Sequence, residues 1–179
     1  MNVEIPVVRT ERLTLRAHRP GDFPVSLAMW TDPEVTRFIG GQPSTEQQAW
    51  TRVLTYIGHW AFLGFGYWAI EETETGAFVG DLGFADFHRN ALPAIKGVPE
   101  LGWAIATRFR GRGYATEAAR AALAWGDAHF KGARTVCMID AENAASIRVA
   151  QKCGYREFHR APFNGKTTIF FERAPSPST

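Results

Sequence analysis

Apolar and polar positions alternate in short stretches along this chain, and turn residues separate the stretches. Leu13 and Leu15 alternate with polar neighbours, which is the period of a half-buried strand. Short apolar runs between turn residues predict the other strands. The predicted strands are residues 11–16, 67–71, 78–87, 100–106, 135–139, 155–159 and 167–171.

Helical spacing and capping residues predict about four helices between these strands. Ser44 fits the first position of a capping box, and Asn143 and Gly154 fit the two ends of a later helix. Alanines recur at helical spacing between Ala115 and Trp125, so that helix is expected to pack closely on a sheet. The predicted helices are residues 22–30, 44–62, 114–130 and 143–154, with a further helical turn at 32–34.

The order of these elements predicts an α/β (α+β) fold with one mixed, mostly antiparallel sheet of about seven strands. Strand, helix and strand follow one another between residues 100 and 139, which is a βαβ unit with two parallel strands. At 179 residues the chain is long enough for one domain with a sizeable core. We therefore expect a single domain over residues 1–173 and a flexible tail, rich in Pro and Ser, over residues 174–179.

Composition narrows the classes of function. Twenty basic against eighteen acidic residues give a net charge of +2, which does not favour a nucleic-acid partner. No apolar run reaches the roughly 20 residues of a membrane helix, so we expect no membrane partner and a cytoplasmic protein. The five histidines stand at no metal-ligand spacing, and Cys137 and Cys153 are expected to be reduced thiols. Trp30, Phe38 and Phe65 are expected in the core, with a substrate pocket as the alternative.

Residues 110–116 (RGRGYAT), called the glycine loop below, lead directly into the helix predicted at 114–130. Gly111 and Gly113 let the backbone approach a ligand, and the first N–H groups of the helix then point at a bound anion. Arginines at this end of a helix interact unfavourably with its dipole, and a bound anion would make their electrostatic interaction favourable. The alternative is an ordinary solvated turn. The dinucleotide-binding and Walker motifs do not fit, because the third glycine of one and the Gly-Lys-Ser/Thr end of the other are missing.

Within the glycine loop, Arg110-x-x-Gly113-x-Ala115 resembles the Q/R-x-x-G-x-G/A acetyl-CoA pyrophosphate loop of the GNAT N-acetyltransferases. The order of the predicted elements is similar to theirs over almost the whole chain. A second register, Arg108-x-x-Gly111-x-Gly113, fits the same pattern. We prefer the register that starts at Arg110, because the helix then begins where the helix of the family begins.

Three further segments resemble the RimJ/RimL-like branch of this family, the ribosomal-protein N-terminal acetyltransferases. They are residues 10–16 (TERLTLR), residues 80–84 (GDLGF), and Asn143-x-x-Ser146 followed by residues 151–155 (QKCGY). The resemblance implies a GNAT fold whose central parallel strands splay to admit acetyl-CoA. It also implies acetyl transfer from acetyl-CoA to a primary amine by direct attack in a ternary complex. The implied acceptor is a protein N-terminal α-amino group or a small-molecule amine.

The resemblance assigns the contacts of the cosubstrate as well. The diphosphate is expected on the backbone N–H groups of residues 111–116, with charge-assisted contacts from two arginines. Pantetheine is expected to pair with the fourth predicted strand as an added strand does, and Gly102 is expected to form a bulge that splays this strand. No metal is expected. The implied contact residues are Trp103, Ala104, Ile105, Arg110, Gly111, Arg112, Gly113, Tyr114, Ala115, Thr116 and Asn143.

The catalytic roles implied by the resemblance each have an alternative. Glu100 is the first candidate for the base, acting directly or through a water, and the alternative is a solvated salt-bridge carboxylate. Ser146 is the candidate proton donor to the leaving thiolate, and the alternative is a small surface residue. Asn143 is expected to contact pantetheine, and the alternative is a helix N-cap. Cys153 is disfavoured as an acyl-accepting nucleophile, because no histidine is near it in the sequence.

Two other classes of function are kept as alternatives. One is an acyl-CoA-binding module that senses or sequesters its ligand without turnover. Such a module needs the glycine loop and Asn143 but neither Glu100 nor Ser146. The other is an arginine-rich nucleic-acid contact, which the near-neutral total charge disfavours. The expected assembly is a monomer or a homodimer.

Overall fold

A mixed sheet of eight strands is the frame of the fold in the computed structural model, which describes residues 3–91 and 93–174. The strands are β1 (Val8–Arg9), β2 (Leu13–Arg16), β3 (Tyr67–Glu72), β4 (Phe78–Ala85), β5 (Glu100–Ile105), β6 (Thr135–Asp140), β7 (Arg156–Phe163) and β8 (Lys166–Arg173). Their order across the sheet is β1-β2-β3-β4-β5-β6-β8-β7. The two-residue β1 was not predicted, because so short a strand shows no alternation. The expected tail lies, apart from its first residue, outside the described residues.

The predicted parallel pair is confirmed in β5 and β6, and every other pair of neighbouring strands is antiparallel. β5 is paired with β4 along its whole length, and β6 is paired with β8 in the same way. Between themselves, β5 and β6 pair only where Glu100 lies opposite Val136. The two central strands therefore separate beyond Glu100 and leave an opening in the middle of the sheet.

Five helices accompany the sheet: α1 (Phe23–Trp30), α2 (Pro33–Thr36), α3 (Glu46–Leu63), α4 (Tyr114–His129) and α5 (Ala144–Lys152). The predicted capping box of α3 is wrong by one residue. Thr45 is the N-cap, and its hydroxyl and backbone N–H exchange hydrogen bonds with Gln48. Ser44 belongs to the preceding loop, since its N–H donates to the carbonyl of Trp30 (2.9 Å). Two Ser/Thr residues with glutamine three positions later made the pattern ambiguous.

The helices cover the two faces of the sheet, and β5 shows which helix covers which face. Leu101 and Ile105 belong to the core cluster that includes the alanines of α4. Ala104, whose side chain points the other way, packs in a cluster with Trp30 of α1 and Ala49 of α3. The opening between β5 and β6 is thus bordered by α4 and α5 on one face and by α1 and the first part of α3 on the other, whereas the last part of α3 packs with α4 through Trp60. Within the part of the chain that the structure describes, no helix is long and apolar enough to span a membrane.

Small side chains let α4 approach the sheet closely, as its spacing predicted. Ala118, Ala119 and Ala122 are fully buried. Trp125, one turn further on, contacts the edges of the Trp60 and Trp68 rings at centroid distances of 5.4 and 5.1 Å. This packing fixes the direction of α4, and it therefore fixes where the N-terminus of α4 presents the glycine loop.

Candidate active site

The glycine loop is held in a backbone conformation that suits glycine. Gly111 (φ 77°) and Gly113 (φ 81°) both lie in the left-handed region, which L side chains rarely adopt. Gly113 is the N-cap of α4, and no side chain caps the helix. The helix begins at Tyr114, where the sequence predicted its start.

The N-terminus of α4 presents a row of unused donors. Each backbone N–H from Gly111 to Thr116 donates to no acceptor within residues 3–91 and 93–174. The first hydrogen bond of the helix runs from the N–H of Glu117 to the carbonyl of Gly113 (3.1 Å). Consecutive free N–H groups at the positive end of a helix form an anion site. The loop therefore fits a group with several anionic oxygens, such as a diphosphate.

Contacts from the opening segment of the chain anchor the glycine loop. The Glu117 carboxylate accepts hydrogen bonds from the Thr10 hydroxyl (2.7 Å), the Arg12 N–H (3.0 Å) and the Arg12 Nε (2.8 Å). Arg12 also donates from Nη1 to the carbonyl of Arg112 (3.0 Å). Burial would raise the pKa of Glu117, but the bonds from Thr10 and Arg12 lower it below its usual value. Residues 10–16 thus support the loop by direct contact.

The two loop arginines named as cosubstrate contacts have protein partners. Arg110 donates from Nη2 to the carbonyl of Glu34 (2.8 Å), and Arg112 lies 3.6 Å from the Glu72 carboxylate. The hydroxyl of Tyr114 donates to the same carboxylate. Arg110 and Arg112 are both exposed, and they remain at the edge of the loop where an anion can reach them.

A cleft of about 390 Å³ fills the opening between β5 and β6. It brings together five of the predicted site residues: Glu100, Trp103, Ala104, Asn143 and Ser146. Ile105 and the glycine loop lie outside its lining, and Ile105 packs into the core. Six aromatic side chains, which we call the aromatic wall, also line it: Trp30, Phe38, Tyr56, Tyr67, Phe87 and Phe163.

The Glu100 carboxylate is already engaged. It is 6% exposed, and its two oxygens accept hydrogen bonds from Arg89 Nε (2.8 Å) and Nη2 (3.0 Å). Burial would lower the pKa of Arg89, but the Glu100 carboxylate raises it above the usual value. The structure therefore shows the salt-bridge alternative in a buried form. A base role for Glu100 requires a water on a remaining lone pair or a movement of Arg89.

Asn143 and Ser146 stand together at the start of α5. Asn143 Oδ1 accepts a hydrogen bond from the N–H of Ser146 (3.1 Å), so Asn143 is the N-cap of the helix. Its side-chain amide keeps both N–H donors for a ligand. The hydroxyl of Ser146 has no hydrogen-bond partner among the described residues, and both side chains border the cleft. Capping and ligand binding are therefore compatible for Asn143.

The predicted bulge at Gly102 is wrong. The pairing of β4 with β5 runs without a shift from Gly80 opposite Ile105 to Ala85 opposite Glu100. A Cβ on Gly102 would lie 2.0 Å from the hydroxyl oxygen of Tyr67. Glycine is needed there because the Tyr67 phenol crosses the strand at that point.

Tyr67 and Tyr56 form a stacked pair beside Gly102. Their ring centroids lie 4.1 Å apart with an interplanar angle of 2°. Burial raises the pKa of both phenols far above the usual value, so both are neutral hydrogen-bond donors. The opening in the sheet is thus flanked by neutral, rigid aromatic groups.

Sequence analysis missed several residues that line the cleft. They are Arg52 and Tyr56 of α3, Tyr67 of β3, Arg89 before β5, and Lys166 of β8. These residues lie far apart in the chain and form no spaced motif. The large number of aromatic residues was the available signal, and it predicted only some of the residues that line the cleft. Trp30 and Phe38 do line the cleft, whereas Phe65 packs edge-on against Phe130 in the core.

Two other chemistries find little support in these side chains. Within the described ranges, no three His, Cys, Asp or Glu side chains are grouped so that they could hold a metal ion. Cys137 and Cys153 are free and buried, and burial raises the pKa of both thiols. A thiol with a raised pKa is a weak nucleophile, because the thiolate is the reactive form.

Solved structures of two acetyltransferases share this fold at low sequence identity. RimL, a ribosomal L7/L12 α-N-protein acetyltransferase in complex with coenzyme A, is 18% identical, with a TM-score of 0.75 over 94% of this chain and 98% of that chain. A spermidine N-acetyltransferase from Vibrio cholerae in complex with CoA and spermine is 16% identical, with a TM-score of 0.72 over 93% of this chain and 97% of that chain. These similarities show the fold alone, and the acceptors of the two proteins differ.

Closer relatives establish the family. The acetyltransferase (GNAT) domain family matches residues 12–156. The uncharacterised Bacillus subtilis protein YkkB is 32% identical over 86% of this chain and 87% of its own length. The structure of an acetyltransferase from Agrobacterium tumefaciens is 30% identical, with a TM-score of 0.82 over 97% of this chain and 96% of that chain. Together with the splayed strands and the free N–H groups of the glycine loop, these matches identify the chain as a member of the GNAT acetyltransferase family.

Proposed function

We propose that this acetyl-CoA-dependent N-acetyltransferase transfers the acetyl group directly to a primary amine bound in the cleft. The opening between β5 and β6 carries this proposal, because it connects the α4–α5 face of the sheet to the aromatic wall on the other face. Two substrates that enter from opposite faces meet between the strands. Both cysteines are buried, so neither offers an accessible thiol for a covalent acetyl-enzyme.

On the α4–α5 face, the glycine loop supports the assignment of the diphosphate site. The free N–H groups of residues 111–116 supply the donors, and Arg110 and Arg112 add charge. From there the pantetheine arm is proposed to follow the unpaired edge of β5 at Trp103, Ala104 and Ile105, as an added strand does. The free amide N–H groups of Asn143 are proposed to donate to a carbonyl of this arm.

Transfer forms a C–N bond and breaks the C–S bond, so one proton must leave the amine and one must reach the thiolate. We assign the first to Glu100, acting through a water while Arg89 holds its carboxylate. The unpartnered hydroxyl of Ser146 is assigned the second. An α-amino group, with a pKa of about 8 against about 10.4 for lysine, asks least of such a base.

Two kinds of acceptor satisfy this chemistry: a protein N-terminal α-amino group and a small-molecule amine. The resemblance to the RimJ/RimL-like branch favours the first. The restricted volume of the cleft, about 390 Å³, favours the second.

Release of free CoA thiol on addition of an amine panel tests the proposal. Amine-dependent thiol release, reduced in kcat by Ser146→Ala and Glu100→Gln without loss of acetyl-CoA affinity, is the expected result. The competing acyl-CoA-binding module predicts thermal stabilisation by acetyl-CoA with no thiol release from any peptide or small amine. The engagement of Glu100 by Arg89 is the observation in favour of that competitor.

A further inference from the structure

The charged residues that line the cleft include one more basic than acidic side chain. Arg89 is paired with Glu100, and Lys166 Nζ lies 3.0 Å from the Asp140 carboxylate. Arg52 is the remaining charged residue of the lining, and no carboxylate among the described residues lies within salt-bridge distance of it. The cleft therefore carries an excess positive charge at the position of Arg52.

The Arg52 guanidinium is held in place but not saturated. It lies over the Trp30 ring with its central carbon 3.8 Å from the ring centroid. Its Nε is buried and has no hydrogen-bond partner among the described residues. Its Nη2 donates to the Ser44 hydroxyl at 3.4 Å, and its other neighbour of hydrogen-bonding character is the neutral Tyr56 phenol. Stacking fixes the plane of the fork, so its donors are presented in one orientation.

A buried acid that contacts the Trp30 indole is committed elsewhere. Asp81 is fully buried, and its two oxygens accept hydrogen bonds from His18 (2.8 Å) and the Trp30 indole (2.9 Å). These bonds orient Trp30, on which Arg52 stacks, and leave the Arg52 charge for a ligand. A partly buried guanidinium with free donors is the usual partner of a carboxylate or phosphate.

We propose that Arg52 binds an anionic group of the acceptor, so that the substrate is a primary amine with a carboxylate or phosphate a few bonds from the nitrogen. This proposal rests on the proposed function, because it places the acceptor in the same cleft. Arg52 belongs to α3, on the face opposite the glycine loop, so its ligand is a different one from the diphosphate of acetyl-CoA. A polyamine, which carries only positive charge, is repelled at this position.

A matched pair of amines tests the proposal. β-Alanine and β-alaninamide have nearly the same size, and they differ in the charge at one end. The expected kcat/KM for β-alanine exceeds that for β-alaninamide, and putrescine is the poorest acceptor. O-Phosphoethanolamine carries a phosphate in place of the carboxylate of β-alanine, so its turnover shows which of the two anionic groups is preferred. The dipeptide amide Ser-Asp-NH2 carries its carboxylate on a peptide, so its turnover shows whether a peptide or a free small amine is the acceptor.

The variant Arg52→Gln tests the residue itself. Loss of a charge-assisted contact is expected to lower kcat/KM for β-alanine about 30-fold and to leave β-alaninamide nearly unchanged. Arg52→Lys is expected to recover part of the loss, because it restores the charge but not the fork. Arg156→Gln, at an exposed position on β7, is the control for the removal of one positive charge.

The outcomes separate this proposal from the proposed function. Equal losses for β-alanine and β-alaninamide in Arg52→Gln, or a preference of the wild type for putrescine, would overturn the role of Arg52 while leaving acetyl transfer intact. Absence of turnover for every amine would overturn the proposed function instead. In that case calorimetric titration of β-alanine into the CoA complex still decides on Arg52: weaker binding to Arg52→Gln supports it, and no binding to the wild type refutes it.

Discussion

The glycine loop lies outside the cleft that the aromatic wall lines, and the two regions are built in opposite ways. The loop is contiguous in sequence, its residues 110–113 are exposed, and it offers backbone N–H groups. The wall offers side chains from six separate parts of the chain. Four of these parts are α1, α3, β3 and β7, and the other two are the loop that follows α2 and the segment that precedes β5. Backbone groups present the same hydrogen-bond donors whatever the side chains are. Side chains can be substituted without changing the fold, so they can adapt a cleft to a different ligand.

The largest expected effect is the loss of the loop conformation. Gly113→Val forces a β-branched residue into the left-handed region at φ 81°, which costs about 1–2 kcal/mol locally and turns several N–H groups away from the ligand. Acetyl-CoA affinity, measured by calorimetry, is expected to fall about 100-fold, while the amine KM stays constant. Gly97→Val carries the same strain at φ 79° in the loop before β5 and serves as the control. Equal losses in the two variants would contradict a special role for the glycine loop.

Removal of a single donor has the next largest expected effect. Ala115→Pro deletes one free N–H at the second position of α4, and α1 already tolerates Pro24 at the equivalent position. Acetyl-CoA affinity is expected to fall about 30-fold, which corresponds to one hydrogen bond to a charged group. Gln47→Pro makes the same change at the second position of α3. The loop assignment fails if calorimetry finds wild-type affinity in Ala115→Pro.

The third prediction concerns the cleft that the aromatic wall lines. Arg89→Met leaves the Glu100 carboxylate buried without its partner and is expected to lower the free energy of unfolding by about 2 kcal/mol, less than the roughly 3–5 kcal/mol of a fully buried pair because Arg89 is partly exposed. Urea unfolding measures this, and the double variant Arg89→Met/Glu100→Gln is expected to recover most of the loss. Acetyl-CoA affinity is expected to remain at the wild-type level. Wild-type stability in the single variant would show that the pair is not desolvated.

The smallest expected effect concerns pH and the anchor of the glycine loop. The pKa of Glu117 is lower in the folded protein than its usual value of 4.5, so its ionised form stabilises the fold above that pH. This contribution is lost as the pH falls through the lowered pKa. The difference in unfolding free energy between wild type and Glu117→Gln is therefore expected to be constant near neutral pH and to shrink below 4.5. A difference that grows on acidification would be inconsistent with this role.

Sequence analysis predicted most elements of the fold because their signals are local. The alternation at Leu13 and Leu15, the alanine face of α4 and the strand–helix–strand succession from β5 to β6 each follow from neighbouring residues. The misses have local causes as well. β1 is two residues long, and the capping pattern of α3 occurs in two overlapping registers.

At the candidate site, prediction succeeded or failed according to the distance between partners in the chain. Asn143 and Ser146 are three residues apart, and the helix turn brings both to the cleft. Gly102 was predicted to form a bulge, whereas the structure shows that glycine makes room there for the Tyr67 hydroxyl. Tyr67 lies on another strand, so the sequence near Gly102 gives no sign of this contact. Glu100 was recognised as a candidate base, but its Arg89 partner comes from the loop before β5.

The sequence by itself determined the glycine loop, since glycine conformations and the free N–H groups of a helix start are properties of consecutive residues. Only the tertiary structure decided which side chains line the cleft. Arg52 on Trp30, Arg89 on Glu100 and Tyr67 against Gly102 join segments that meet through the packing of the sheet and its helices. Their interaction energies depend on burial and on distances in space, and neither is encoded in any single stretch of the chain.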